Sequence, residues 1–276
     1  MLHEEREGKE HEPLLEAFEE LTANGVVRVE RLYLRKADLS GLRLTGTNLL
    51  YSDFTGACLT NSRFTRVGFD RSTLDDVQMD YSVLTRVDLR SVHGMRKIHW
   101  YGAILDGLRL PDLPRLGLRC VYDQTETMDP ERAEYTYRAL KEAYKGQGRH
   151  DEAAALYERE MDMKRHRASF FDKLWLTLLW LVCGYGERPL RLTGVFAAVI
   201  TAFALGYSNF GLVGPDGPIT GDFFQSLYFS IVTFTSLGYG EIRPVGFARL
   251  LAGTEAVLGV FLSSLFVFVF CRRMVR

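Results

Sequence analysis

The sequence predicts a multidomain membrane protein, with a polar, repetitive N-terminal part followed by an all-helical part that crosses a bilayer. Three observations carry this expectation. Nearly all the long apolar runs lie after Ser169, while residues 1–168 are largely polar. Thirteen positions spaced by five, from Val29 to Leu89, are all apolar in a chain of 47% hydrophobic composition. Two later stretches can span hydrocarbon: Leu192–Leu212 has no charge, and Leu250–Cys271 carries only Glu255. The expected divisions are a tail and capping helix over 1–25, the repeat over 26–118, a helical linker over 119–168 and the membrane part over 169–276.

A formal charge of −1 gives no reason to expect nucleic acid as a partner. Cys58, Cys120, Cys183 and Cys271 have no pairing or metal spacing, which fits a reduced cytosolic face. Met1–Glu12 is dense in charge, so no cleavable signal peptide is expected there. There is no metal-ligand spacing, phosphate-binding glycine loop or nucleophile–base pair, so neither enzymatic activity nor a cofactor is expected.

Taken in order, Pro13 opens a short helix to Ala23, stopped by Asn24-Gly25. Its apolar face of Leu14, Leu15, Phe18 and Leu21 suits a cap over the end of the next segment. The repeat then runs Val29, Leu34, Leu39, Leu44, Leu49, Phe54, Leu59 and onward to Leu84 and Leu89. Small or branched residues such as Ala37, Thr47, Ser52, Ala57, Ser62, Val67 and Ser72 stand two places before these positions. A period of five fits neither a helix at 3.6 nor a strand at 2. This pattern, clearest in Ala37-Asp38-Leu39-Ser40-Gly41, resembles the pentapeptide-repeat family. The resemblance implies a right-handed, four-sided β-helix with four units per coil and the central Leu or Phe on its axis. The register is expected to fail at Ser91–Tyr101 and resume with Ala103/Leu105 and Leu108/Leu110, giving about four coils and a column about 20 Å long. Members of the family can imitate DNA with an acidic surface. Here Arg35, Asp38, Arg43, Asp53, Arg63 and Asp70 mix both signs, so a docking or assembly module is expected, with a cytoplasmic protein or ligand as its partner.

Pro111, Pro114 and Gly117 mark a linker. A helix from Asp129 to Lys145, a break at Gly146–Gly148 and a second helix from His150 to His166 make a hairpin. Tyr135, Leu140 and Tyr144 are expected to face Ala154, Ala155, Tyr157 and Met161. The hairpin resembles one tetratricopeptide-type unit, and four roles stay open for it: coupling the β-helix to the membrane, packing between subunits, a plain connection, or a peptide-binding groove.

In the membrane part, Phe170–Cys183 is too short to cross and fits an interfacial helix over 170–184. Gly184-Tyr185-Gly186 reads as a turn, because no hydroxyl is adjacent to it and no span lies upstream. Lys164, Arg165, Arg167, Lys173, Arg188 and Arg191 precede the span over 192–212, while Val213–Asp222 has no Lys or Arg. That bias places both termini in the cytoplasm, in a plasma or inner cell membrane. Phe223–Thr235 is a helix that re-enters from outside, followed by Ser236-Leu237-Gly238-Tyr239-Gly240 and a second span over 246–271. No regulatory domain is expected after Arg276, so any intracellular sensor is expected before the pore.

Phe223–Pro244 resembles the pore loop of the two-transmembrane potassium-channel family, whose filter reads Thr-Val-Gly-Tyr-Gly; the likeness covers about Phe170–Arg276. It implies a homotetramer in a lipid bilayer, with Thr235, Ser236, Leu237, Gly238, Tyr239 and Gly240 forming the filter. Potassium would be held by the carbonyls of Ser236, Leu237, Gly238 and Tyr239 and by the Ser236 hydroxyl. Tyr228 and Phe229 stand where the family has two tryptophans, and the Tyr239 ring is expected to pack on the aromatics of the pore helix. Three letters depart from the family: Ser236 for threonine, Leu237 for valine and Glu241 for aspartate, the last expected to pair with Tyr228. Thr233 and Glu255 complete the expected support, with Glu255 in reach of Ser230 or Thr233. Gly259 matches a hinge glycine, although close packing would explain it equally well. Ser263, Val267 and Cys271 would line the cavity, with Phe266 and Phe270 as a greasy constriction beside it. Two further readings stay open: a weakly selective cation channel, and a non-conducting membrane-anchored scaffold.

Overall fold

The computed structural model describes Glu20 and residues 28–116, 120–125, 129–215 and 217–274. The tail, almost all of the helix expected at Pro13–Ala23 and its Asn24-Gly25 stop therefore lie outside the described residues. Two compact units divide the chain, Met1–Lys173 and Leu174–Arg276.

The first unit opens with a β-solenoid of about four turns. Its strands are three residues each: β1 (Arg28–Glu30), β2 (Arg43–Thr45), β3 (Asn48–Leu50), β4 (Arg63–Thr65), β5 (Val83–Thr85) and β6 (Ile104–Asp106). All pair in parallel, β1 with β3 and the others in the order β2-β4-β5-β6. Arg43 lies opposite Arg63 and Phe64 opposite Leu84, so one coil is 20 residues, or four units of five. The central residues Leu39, Leu49, Leu59, Phe64, Phe69, Leu84 and Leu89 are fully buried. Each such side chain is worth roughly 1.5–3 kcal/mol in hydrophobic burial.

The serines two places before the centre do more than leave room. Ser62, Ser72 and Ser82 donate through Oγ to the carbonyls of Leu39, Leu49 and Leu59, one coil back, at 3.2, 3.0 and 2.7 Å. Every coil turns its corners through left-handed backbone. Positive φ recurs every fifth residue at Arg31, Lys36, Gly41, Gly46, Tyr51, Gly56, Asn61, Arg66, Arg71, Asp76, Tyr81 and Arg86. A side chain there costs roughly 1–2 kcal/mol against glycine, offset by corner amides that donate to the next coil, such as Arg31 to Leu50 and Lys36 to Thr55.

The expected failure of register at Ser91–Tyr101 is corrected to a slip of one residue. Val83 pairs with Ile104, so the offset between coils changes from 20 to 21, and the left-handed corners resume at Lys97, Gly102 and Gly107. Met95 and Trp100 then fill the axis and are buried, and Ala103, Leu108 and Leu110 continue the core. The expected linker is also more ordered than its prolines imply. Short helices α1 (Leu113–Leu116) and α2 (Tyr122–Thr125) occupy it, and Ile98 pairs with Val121. Leu113, Leu116, Cys120 and Val121 join the same core, where burial pushes the Cys120 thiol up to about 12.

Helices α3 (Pro130–Gly146) and α4 (His150–Arg167) form the hairpin. Asp129 caps α3 by accepting from the amides of Glu131 and Arg132. Of the expected facing residues, Leu140 and Tyr144 are buried in the core and Ala155 packs against it, while Tyr135 is not part of it; Ala133, Tyr137, Ala153, Leu156 and Met163 complete the hairpin's share of that core. Tyr135 is 39% exposed and instead touches Tyr101 of the solenoid edge-on at 5.5 Å. Ala154, Ala155, Tyr157 and Met161 are only half-buried. The spacing 133, 137, 140, 144 is the helical stripe of period 3.6, and Tyr135 lies off it. Tyr144 donates to the Pro111 carbonyl at 2.8 Å and Arg149 binds the Leu110 and Pro111 carbonyls, fastening the hairpin to the solenoid's end.

The expected interfacial helix is α5 (Phe170–Cys183), followed by a turn at Gly184–Gly186 with φ of 56, 58 and 86°. In the second unit, α6 (Pro189–Phe210) and α8 (Ala248–Met274) are long and apolar enough to cross a membrane. Between them, α7 (Phe223–Phe234) is capped by Asp222, which accepts from the amides of Phe224 and Gln225. Between α6 and α7, β7 (Leu212–Gly214) and β8 (Gly217–Ile219) pair as an antiparallel hairpin. Strand β9 (Arg243–Pro244), just past the Gly-Tyr-Gly run, pairs with β7.

Candidate ion pathway

Helix α7 ends in a defined turn. The amide of Ser236 donates to the Thr233 carbonyl and that of Leu237 to the Val232 carbonyl, both at 3.0 Å. This paired pattern, with a left-handed residue just past the cap, is the Schellman ending. Ser236 takes the left-handed place at φ 56°, where glycine is the usual occupant. The Thr235 hydroxyl folds back onto the Ile231 carbonyl at 2.7 Å. Beyond the turn, Gly238 and Gly240 have φ of 60 and 88°, a region that glycine enters at little cost.

Every residue from Thr235 to Glu241 is exposed on the single chain. Tyr239 is 67% exposed on the single chain. Phe229 meets Tyr207 of α6 edge-on at 4.9 Å, in a cluster with Leu212 and Ala248. Past Gly240, the run is fixed at two points. The Tyr228 hydroxyl donates to Glu241, as the sequence suggests. Arg243 Nε approaches the Gly240 carbonyl at 3.4 Å while its backbone belongs to the β7–β9 sheet.

Behind α7 lies a fully buried carboxyl. Glu255 of α8 is 0% exposed. Ser230 of α7 donates to one of its oxygens and Tyr207 of α6 to the other, at 2.7 Å in the second case. Ser230 meets the expectation; the second hydroxyl comes from Tyr207, where Thr233 was the other residue expected. One turn further along α8, Gly259 abuts the last residue of α7. A Cβ on Gly259 would stand 2.1 Å from the Phe234 carbonyl oxygen and 2.9 Å from its carbon. Close packing therefore accounts for this glycine, and α8 is continuous from Ala248 to Met274.

Ser263, Val267 and Cys271 are exposed on the single chain, as are the filter residues. Phe266 is corrected: it turns toward α6, 5.8 Å from the Phe196 ring, and packs with Leu192 and Val269. Phe270 stacks on Phe266 at 6.0 Å and remains 47% exposed. Sequence reading missed Tyr207 and the β7–β9 pairing.

The family described as "Ion channel" matches residues 190–276, and the family described as "Pentapeptide repeats" matches residues 31–66 with eight copies. Neither is an enzyme family. No curated protein matches the chain. Among solved structures, the chain is similar to HetL, a pentapeptide repeat protein involved in heterocyst differentiation regulation from the cyanobacterium Nostoc sp. strain PCC 7120. That likeness has 20% identity, 32% of this chain, 46% of HetL's length and a TM-score of 0.27. It is also similar to Rfr23, a pentapeptide repeat protein from the cyanobacterium Cyanothece 51142, at 11% identity over 32% of this chain and 90% of that one, with a TM-score of 0.26. Likenesses this slight leave the solenoid to be read from the chain's own register and hydrogen bonds. The chain thus joins pentapeptide repeats at residues 31–66 to an ion-channel domain at residues 190–276.

Proposed function

We propose that four copies of this chain form a potassium-selective channel in a plasma or inner cell membrane, with the solenoid and both termini in the cytoplasm. One observation carries the reading. The run Ser236–Gly240 combines left-handed glycines at 238 and 240 with exposure along its whole length on one chain, between two helices able to cross a bilayer. A dry ion site needs rings of carbonyl oxygens, and a single copy can supply only one edge of each ring.

In this reading the carbonyls of Ser236, Leu237, Gly238 and Tyr239, with the Ser236 hydroxyl, replace the water shell of potassium. The C-terminal end of α7 points its partial negative charge at the cavity beneath. Tyr228 and Glu241 steady the outer end; Thr233 and Phe229 belong to the supporting helix. Glu255 ties α6, α7 and α8 together through Tyr207 and Ser230, and Gly259 lets α8 lie against the base of the filter. Ser263, Val267 and Cys271 face the inner cavity. The solenoid serves assembly or docks a cytoplasmic partner.

A weakly selective cation channel is the second reading, favoured by Ser236, which lacks the methyl that limits a threonine's rotamers. Purified protein in liposomes under opposed potassium and sodium gradients separates the readings. Potassium flux with a reversal potential near that of potassium is expected. A reversal potential near zero supports the weakly selective channel, and no flux at all leaves the scaffold.

A further inference from the structure

One face of the solenoid differs from the other three in its charge. It is the sheet β2-β4-β5-β6 with the corners that follow each strand. Arg43 and Arg63 lie directly opposite each other on adjacent strands. Arg66 and Arg86 occupy equivalent left-handed corners one coil apart. Between these two columns runs a ladder of Thr45, Thr65 and Thr85. The strands and corners of this face hold four arginines and a single carboxylate, Asp106 at its last rung.

Elsewhere on the solenoid most arginines have partners. Arg28 pairs with Glu30, Arg35 with Asp53, Arg96 with Asp75, and both Arg90 and Arg109 with Asp88. Asp80 is taken by Arg132 of α3. Among the described residues, Arg43, Arg63, Arg66 and Arg86 have no ion-pair partner. Like charges stacked across adjacent strands repel, at a spacing of about 4.8 Å. Two such stacks without a counter-charge make a face that gains from an external anion.

We propose that this arginine–threonine face docks on the anionic headgroups of the bilayer leaflet in which the chain itself is anchored; the inference rests on the cytoplasmic placement proposed above. Charge and shape together select this occupant. The face measures about 10 Å by 15 Å by strand length and spacing, and has no aromatic side chain on which a base could stack. It also exposes no Trp, Tyr or Phe to serve as the anchor that a protein partner would bury. Headgroups need neither, because they diffuse laterally to meet each guanidinium, which holds phosphate oxygens in a fork. A chain with two helices able to cross the bilayer keeps a leaflet within tether reach at all times. The cytoplasmic leaflet is the anionic one.

The test uses the full chain in nanodiscs, carrying Thr45→Cys with Cys58→Ser and Cys271→Ser, and reads the rate of alkylation by an uncharged polymer maleimide. Discs of phosphatidylcholine alone are compared with discs containing phosphatidylserine. Each arginine near an anionic surface is worth about a fivefold change in partition, so alkylation should be at least about tenfold slower with phosphatidylserine. High salt should restore the rate, because the attraction is screened. Joint substitution Arg43→Gln, Arg63→Gln, Arg66→Gln and Arg86→Gln should abolish the protection. The same four changes to Lys, which keep the charge, should retain most of it and control for misfolding. Equal rates in the two discs would overturn the proposal, as would protection that survives the Gln set. Slowing by polyglutamate in detergent, with none from phosphatidylserine, would assign the face to an acidic polypeptide and overturn the lipid assignment. Ion flux from the parent protein, with Cys271 in place, reports separately on the channel reading.

Discussion

The solenoid and the channel unit solve the same problem, satisfying a buried backbone, in opposite ways. In the solenoid each coil hydrogen-bonds to the next, and its central residues Leu39, Phe64, Phe69 and Leu84 are sealed within one chain. In the channel unit the distinctive segment, Ser236–Gly240, is exposed along its whole length. The solenoid's chemistry is repeated many times, so each unit carries a fraction of the load. The channel unit uses each residue once: one Glu255, one Gly259, one Gly238. Substitutions should therefore be graded in the solenoid and abrupt in the channel.

Gly238→Ala should have the largest effect. At φ 60° a Cβ disfavours the backbone that the proposed carbonyl ring needs, and ion flux from liposomes should vanish while assembly persists. Undiminished flux would show that the left-handed glycine is not part of the conducting path. In the solenoid, Phe64→Ala removes a ring that is fully buried and lies 5.9 Å from Phe69. About 3–5 kcal/mol of stability should be lost, read as an earlier thermal transition of the repeat with flux per assembled channel kept. If flux and repeat stability fall together, the two units are not independent and the contrast fails.

Gly259→Ala sharpens the comparison further. Its Cβ would overlap the Phe234 carbonyl, and overpacking of this kind costs about 1–3 kcal/mol. The expected result is altered selectivity, because Phe234 lies two residues before Ser236. A variant with changed opening but unchanged reversal potential would instead favour a hinge. The smallest effect expected is at Ser236. A β-branched residue is poorly suited to its left-handed backbone, so Ser236→Thr should cost about 1–2 kcal/mol and Ser236→Gly should cost nothing in thermal stability. Equal stability of the two variants would mean that the assembled channel does not keep this turn.

Much of this is legible in the sequence, for reasons that differ by region. The period of five is visible because each core position recurs, from Val29 to Leu89. The slip before Met95 is not, since one extra residue moves Met95 and Trp100 out of the counted register. The left-handed corners leave little trace either, because Arg, Lys, Tyr and Asp occupy them as well as Gly. The β7–β8 hairpin does carry a signal, Pro215-Asp216-Gly217, a turn sequence between apolar residues. The pore-loop motif and the Tyr228–Glu241 pair can be read from residue types and spacing. Tyr207 as a partner of Glu255 cannot, since 48 residues separate them and only packing brings them together. Phe266 escapes sequence reading for the same reason, as its direction depends on Phe196 across the helix pair.

The central claim is that one chain completes a solenoid and only one edge of an ion path. Native mass measurement of the full chain, released from lipid under conditions that preserve membrane complexes, tests it most directly. A single species of four chains is the predicted result, retained in Gly238→Ala. A monomer or dimer under those conditions would contradict the account, because too few copies of Ser236–Gly240 would remain to encircle an ion.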